Sequence, residues 1–212
     1  MGKIVIFGAG GRAGRAAVSE ALRRGHQVTA VVRDPARYSV PAGGGMRVAA
    51  GDVTSVPDIT ALAAGHDAAI HAAAVYGEGT DPASFFPSAA RALVAGLPRA
   101  GVGRLVAVGL AALLPGPDAV PLLDAPGFPS EARSFCLAHA AGLEVLRRDG
   151  GSLDWVYVSP AGDFDHEGGR AGRYDIRDHG DLTARISYAD FALALLDEAQ
   201  APRHHRSHLA VT

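Results

Sequence analysis

The sequence is short of several residues on which common chemistries depend. Its 212 residues include one cysteine, Cys136, so no internal disulfide can form. Cys136 falls in a stretch of helical pattern and reads as a buried filler. There is also one lysine, Lys3. A lysine four residues after a tyrosine lowers the phenol's pKa and lets it pass a proton. The residues four beyond Tyr38, Tyr76, Tyr157, Tyr174 and Tyr188 are Ala42, Thr80, Ala161, Asp178 and Ala192, so that pairing is excluded. The longest apolar run, Leu105–Leu114, covers ten residues, against about 20 needed to cross a bilayer. A formal net charge of −2 argues against nucleic acid or a membrane surface as partner. No acid or cysteine shares the spacing of His204, His205 and His208, which read as a solvated turn rather than a metal site. A first strand expected from Lys3 leaves no room for a signal peptide, and the reading is a cytoplasmic protein.

What is present bounds the fold. With 48% hydrophobic and 20% charged residues, the length suits one domain, residues 1–212, with a sizeable core. Charge is uneven along the chain. Residues 1–106 carry 11 basic and 7 acidic side chains, and residues 107–212 carry 9 and 15. The basic half holds the most informative stretch, Ile4–Gly14. Four apolar residues, Ile4-Val5-Ile6-Phe7, run into Gly8-Ala9-Gly10-Gly11-Arg12-Ala13-Gly14. A helical pattern follows from Arg15 to Arg24 and stops at Gly25. A buried strand, a glycine turn and a helix start bring backbone N–H groups and the positive end of a helix dipole to one point. Glycines let a phosphate come close where a Cβ would hold it off. A second strand, Gln27–Val32, begins on schedule, and the whole unit reads as a dinucleotide pyrophosphate site.

The rest of the chain continues the alternation. Strands are expected at Met46–Ala50, Ala68–Ala74, Leu105–Gly109 and Asp154–Ser159, with His208–Val211 as an edge strand. Helices are expected from Ser55 through Ala64, from Pro82 to Ala100, over Ser130–Asp149 and from Ser187 to Ala199. Ser55–Asp58 and Ser187–Asp190 look like capping boxes. A Gly-rich turn is expected at Gly43–Gly45, and Phe164–Arg173 is a candidate flap. This order implies a three-layer αβα, Rossmann-like, doubly wound parallel sheet with a small substrate-side lobe formed by the C-terminal loops. Ligands in such sheets sit at the carboxyl ends of the strands. The expected cofactor-binding residues are therefore Gly8, Gly10, Gly11, Arg12, Ala13 and Gly14 in the loop, Asp52 and Val53 after strand three, Ala73 and Ala74 after strand four, Gly109 after strand five, and Ser159, Pro160 and Ala161 near a nicotinamide. His71 and Ser159 are candidate catalytic residues; the other reading of His71 is a partly buried structural histidine.

Cofactor choice is read at the end of strand two. Folds that select NAD place an acid there, about 20 residues beyond the glycine loop. Here the position is Arg33, which can hold a 2′-phosphate, and the expected cofactor is NADPH. Arg12 is expected to face the same pocket, with Arg37 as a third candidate. In the competing reading Asp34 takes the ribose instead.

Taken together, the glycine loop, Arg33-Asp34-Pro35 and Gly51-Asp52 resemble the NmrA-like atypical short-chain dehydrogenases/reductases. Leu123–Pro129, Leu153–Ala161 and Arg185–Phe191 resemble the NAD(P)H-flavin reductase group, which is similar to biliverdin-IXβ/flavin reductase. In that group a Gly-Gly-Ala-Gly-Ser run follows strand five. Here the place reads Gly109-Leu110-Ala111-Ala112-Leu113, without the serine. The resemblance implies an NADPH-dependent reductase that passes hydride to a small planar acceptor such as a flavin or quinone. The cofactor carries that chemistry, and the proton can come from water. The alternative it implies is an NADP-binding sensor of NmrA type without turnover.

Overall fold

The computed structural model describes residues 2–39, 44–116 and 118–212. Gly43, and with it part of the expected Gly43–Gly45 turn, lies outside them. The strands are β1 (Lys3–Phe7), β2 (Gln27–Val32), β3 (Met46–Ala50), β4 (Ala68–His71), β5 (Arg104–Val108), β6 (Asp154–Pro160), β7 (Asp163–Asp165), β8 (Ile176–Arg177), β9 (Arg185–Ser187) and β10 (Ser207–Val211). The helices are α1 (Arg12–Arg23), α2 (Val56–Ala63), α3 (Pro82–Arg99), α4 (Ser130–Asp149) and α5 (Tyr188–Gln200).

Eight strands form one sheet in the order β3-β2-β1-β4-β5-β6-β10-β8, while β7 and β9 pair separately. All neighbours in the large sheet are parallel except β8, which runs antiparallel to β10. The strand order reverses between β1 and β4, and ligands sit at such switch points. The fold is thus the expected three-layer α/β arrangement.

Alternation along β1 explains why the sheet is covered on both faces. Ile4 and Ile6 pack with Val18 of α1 and Phe191 and Leu195 of α5. Val5 and Phe7 pack with Ile59 of α2, Leu93 of α3 and Leu143 of α4. A strand with apolar side chains on both faces belongs at the centre of a parallel sheet. Burying each such side chain contributes about 1.5–3 kcal/mol.

Beyond shifts of a residue or so at several element ends, the structure corrects three readings. The first helix starts at Arg12 rather than Arg15, because Gly11 already serves as its N-cap. β4 ends at His71 rather than Ala74. Its partner β1 ends with the Phe7–His71 pair, and the last bond is Ala72 N–H to Phe7 O at 2.8 Å. Beyond it Gly8 turns away, and Ala72–Ala74 leave the sheet without a partner strand. β10 is not an edge strand, because β8 pairs with its outer side.

The histidine turn is solvated at His205, whose side chain is 60% exposed, and it is also tied to other elements. His204 Nδ1 lies 2.7 Å from Glu198 Oε1, and His205 Nδ1 lies 2.9 Å from Asp154 Oδ2. Glu198 and Asp154 also hold the buried Arg104 guanidinium, at 2.8 and 3.0 Å. These partners come from other elements, so spacing along the chain could not show them. Cys136 is buried in α4 as expected.

Candidate functional site

A groove of about 480 Å³ runs along the carboxyl ends of β1 to β4. Its walls are the glycine turn, the segment Val31–Arg33, Gly51–Val53 and the stretch Ala72–Tyr76, closed by Thr80 and Phe85. Gly8, Gly10, Gly11, Arg33, Asp52, Val53, Ala73 and Ala74 therefore meet in one place, as the sequence reading expected. Tyr76, Thr80 and Phe85 were not singled out there. Tyr76 and Thr80 belong to the polar, glycine-containing loop after strand four, while Phe85 lies in the first turns of α3.

The glycines of the turn divide into two kinds. Gly8 has φ of +80°, and a Cβ on it would collide with the backbone of Ala72 and Ala73. A Cβ on Gly14 would strike Gly8 O and Ala9 Cα, so this glycine lets α1 pack tightly on the turn. Gly10 and Gly11 have no such neighbour. The nearest atom to a Cβ would be Val32 Cγ1 at 3.6 Å for Gly10 and Gly8 O at 3.6 Å for Gly11. At these two positions a side chain would enter the groove and meet nothing else.

The start of α1 is open in the same direction. Its N-cap, Gly11, makes no side-chain cap bond, and the first turn contains no acid. The first N–H groups of a helix have no partner inside it. Those of Arg12, Ala13 and Gly14 stand at the groove end of α1, next to the positive end of its dipole. Arg12, Ala13 and Gly14 contribute backbone rather than wall.

The cationic side chains sort differently from expectation. Arg33 is exposed and forms part of the groove wall. Asp34 is exposed beside it, and its Oδ1 accepts from Ala36 N–H at 3.0 Å and caps the short turn Pro35–Arg37. Arg37 is exposed on that turn, outside the groove wall. Arg12 points the other way, with its Nη1 2.8 Å from His166 Nδ1 in the segment after β7. The candidate flap therefore touches the glycine turn through Arg12, and Arg12 does not share a pocket with Arg33. Asp52 closes its own turn, accepting from Thr54 N–H and Oγ1–H at 2.8 Å each.

The end of β6 stays out of the groove. Ser159 is 0% exposed and lies 2.7 Å from His208 Nε2 through its Oγ. Pro160 and Ala161 are buried as well. Gly109 is explained by packing, since a Cβ there would collide with the Tyr157 ring and Ser159 Oγ. Gly109, Ser159, Pro160 and Ala161 line no part of the groove described above. His71 stands behind the wall formed by Ala72–Ala74. It is buried, its Nδ1 has no partner among the described residues, and burial lowers its pKa to about 4.

The tyrosines are occupied elsewhere, with one exception. Tyr157 is buried with its hydroxyl 2.8 Å from His139 Nδ1, and burial raises its pKa. Tyr174 donates to Asp197 Oδ2 at 3.0 Å, and burial together with that bond raises its pKa to about 12. Tyr188 stacks on Phe164 at 4.1 Å. Tyr38 lies under the Arg15 guanidinium, 4.8 Å from ring centre to Cζ. Only Tyr76, 77% exposed, reaches the groove.

Known proteins are similar to this chain in sequence and fold. The chain is 33% identical to YwnB of Bacillus subtilis over 99% of its own length and 97% of that protein. A solved Burkholderia pseudomallei structure, described as a candidate exported protein, is 33% identical with a TM-score of 0.84 over the full length of both chains. A Streptococcus pneumoniae structure, described as a candidate NADH-flavin reductase, is 31% identical with a TM-score of 0.82, over 100% of this chain and 99% of that one. No helix among the described residues is long and apolar enough to cross a membrane. Residues 8–202, which run from the glycine turn past α5, match the NAD(P)H-binding family, and with the strand order and the groove above the chain belongs to that family of Rossmann-like, nicotinamide-nucleotide proteins.

Proposed function

We propose that the protein is an NADPH-dependent reductase that hands a hydride to a planar acceptor such as a flavin or quinone. The carrying observation is the pairing of an open, uncapped helix start with Arg33 at the end of β2 in one groove. The residues fit a dinucleotide. Gly10 and Gly11 leave a cradle that a Cβ would fill, and the free N–H groups of the first turn of α1 can donate to a pyrophosphate. Arg33 can grip a 2′-phosphate bidentately, while Asp34 is held in its own turn. Asp52 and Val53 would flank the adenosine end. A bound reduced nicotinamide supplies the hydride.

The chain's own residues bind and orient rather than move protons. No His or Lys lines the groove, and Tyr157, Tyr174, Tyr188 and Tyr38 are engaged elsewhere. His71 is neutral near pH 7, because burial lowers its pKa to about 4. The acceptor's proton then comes from water, and the loops after β5 and β6 form the acceptor side of one domain over residues 1–212. Ser159, Pro160, Ala161 and Gly109 support that side from behind the groove. The description of the Streptococcus pneumoniae relative agrees with a flavin as acceptor.

With Asp52 tied into its own turn and no His or Lys among the described residues of the groove, a second reading is also favoured, an NADP-binding sensor without turnover. A steady-state assay of NADPH oxidation with FMN, riboflavin, menadione and an azo dye separates the two. Turnover on any of them supports the reductase; tight NADPH binding with none supports the sensor.

A further inference from the structure

The amino edge of the sheet, at the far end of β1 to β3 from the groove, carries a second cavity of about 420 Å³. Pleat and register build it. Lys3 lies two residues before Val5, so both point to the α2 face of the sheet. Val5 is paired with Thr29, and Thr29 with Arg47, which puts all three in one row on that face. Lys3, Thr29 and Arg47 therefore converge under the end of α2, where His66 covers them.

The chemistry of this cavity is one-sided. Its lining contains two cations and no acid. Neither Lys3 nor Arg47 makes an ion pair among the described residues. The nearest acid, Asp67, accepts from the Lys3 backbone N–H at 2.7 Å. The cations are not spent on capping α2 either. His66 Nδ1 takes that role, at 3.1 Å from Ala63 O and 3.2 Å from Ala64 O. At the floor, Thr29 is 5% exposed, the one polar side chain in the buried run of β2, and its Oγ1 lies 2.8 Å from His66 Nε2. Burial lowers the His66 pKa first, and the neighbouring Arg47 and Lys3 charges lower it further.

We propose that this cavity binds a small oxyanion, a phosphate group above all, through Lys3 and Arg47, over a floor formed by the Thr29–His66 pair. Its volume lies in the range of small-molecule sites, about 300–1,000 Å³, so a phosphate monoester fits better than bare phosphate. The site is separate from the groove: it touches the amino ends of the strands that the groove touches at their carboxyl ends.

The test is calorimetric titration of the full chain with glycerol 3-phosphate and with inorganic phosphate, at constant ionic strength and with saturating NADPH. Saturable binding should appear, move the His66 ring signals in NMR, and weaken by about tenfold or more in Lys3→Ala and in Arg47→Ala. Both side chains are exposed, so the variants should fold with an unchanged melting temperature. A preference for the monoester assigns the site to a phosphorylated metabolite, and equal affinity assigns it to free oxyanions; either supports the site. The proposal is overturned if neither probe saturates, if both variants bind as well as wild type, or if NADPH or Arg33→Ala abolishes binding, which would place the anion in the groove.

Discussion

Two kinds of helix start stand side by side in this protein. α2, α3 and α5 close theirs with their own side chains. Ser55, Asp81 and Ser187 accept from the N–H groups of Asp58, Ser84 and Asp190. α4 lacks a side-chain cap but has Glu131 in its first turn. α1 has neither a cap nor an acid. A cap contributes about 1 kcal/mol, so leaving α1 bare forgoes stability at the helix start that follows the glycine turn. The contrast teaches where the fold satisfies itself and where it leaves N–H groups for a ligand.

The largest effect should come from closing the open start. Gly11 has φ of −74°, which a valine adopts, and its Cβ would meet no atom closer than 3.6 Å. Gly11→Val should therefore fold normally yet weaken NADPH binding by more than about 100-fold, about 2.8 kcal/mol, as read by fluorescence titration. Gly14→Val should instead lower the melting temperature sharply, because its Cβ would strike the turn.

Next comes acid. Burial lowers the pKa of His71 to about 4, of His139 to about 3 and of His208 to about 4. Each is an imidazole kept neutral in the fold that protonates near pH 6.5 once unfolded. The unfolded chain thus binds more protons between those values, and stability falls as pH drops from about 6.5 toward 4. The slope reaches up to about 1.4 kcal/mol per pH unit for each histidine. Urea melts across that range check it, and the slope should shrink in His71→Leu.

Arg33→Ala should weaken NADPH binding by about 1.5–3 kcal/mol, the range for hydrogen bonds to charged groups. NADH binding should stay nearly unchanged, and equal losses for both would contradict a 2′-phosphate role. At a capped start the effect should be on stability alone: Ser55→Ala is expected to cost about 1 kcal/mol in chemical denaturation, with NADPH affinity intact. Smallest of all, Tyr157→Phe, Tyr174→Phe and Tyr188→Phe should each leave reductase turnover within about tenfold, a barrier change under about 1.4 kcal/mol.

Local pattern made much of this legible. The run Ile4–Phe7 before the glycines, the β-branched β2 and the helix Ser130–Asp149 follow from periodicity and punctuation. The capping boxes were half legible. Ser55 and Ser187 do accept from the third residue on, but the acids bond other loops, and Asp190 Oδ2 also accepts from the Ser187 hydroxyl at 3.0 Å. Asp58 Oδ2 accepts from Asp52 N–H at 2.9 Å, and Asp190 accepts from Ala171 and Gly172 at 2.9 and 2.8 Å. Those partners arrive from other loops, which no local motif encodes. The end of β4 was hidden because an alanine run fits strand and loop alike, and only the loss of β1 as partner ends it. The sequence points Arg12 toward Arg33 because both are cations near a phosphate loop, whereas His166, the flap residue that draws it away, lies 154 residues along the chain. Ser159 was read as facing a nicotinamide from its place at a strand end, yet its hydroxyl turns to His208.

The central claim is that the bare start of α1 and Arg33 together select a 2′-phosphorylated dinucleotide. Equilibrium titration of the wild-type chain with NADPH and with NADH, under identical salt, tests it most directly. The account predicts saturable binding of both, with NADPH tighter by about tenfold or more. Equal affinity for the two, or no saturable binding of either, would contradict it.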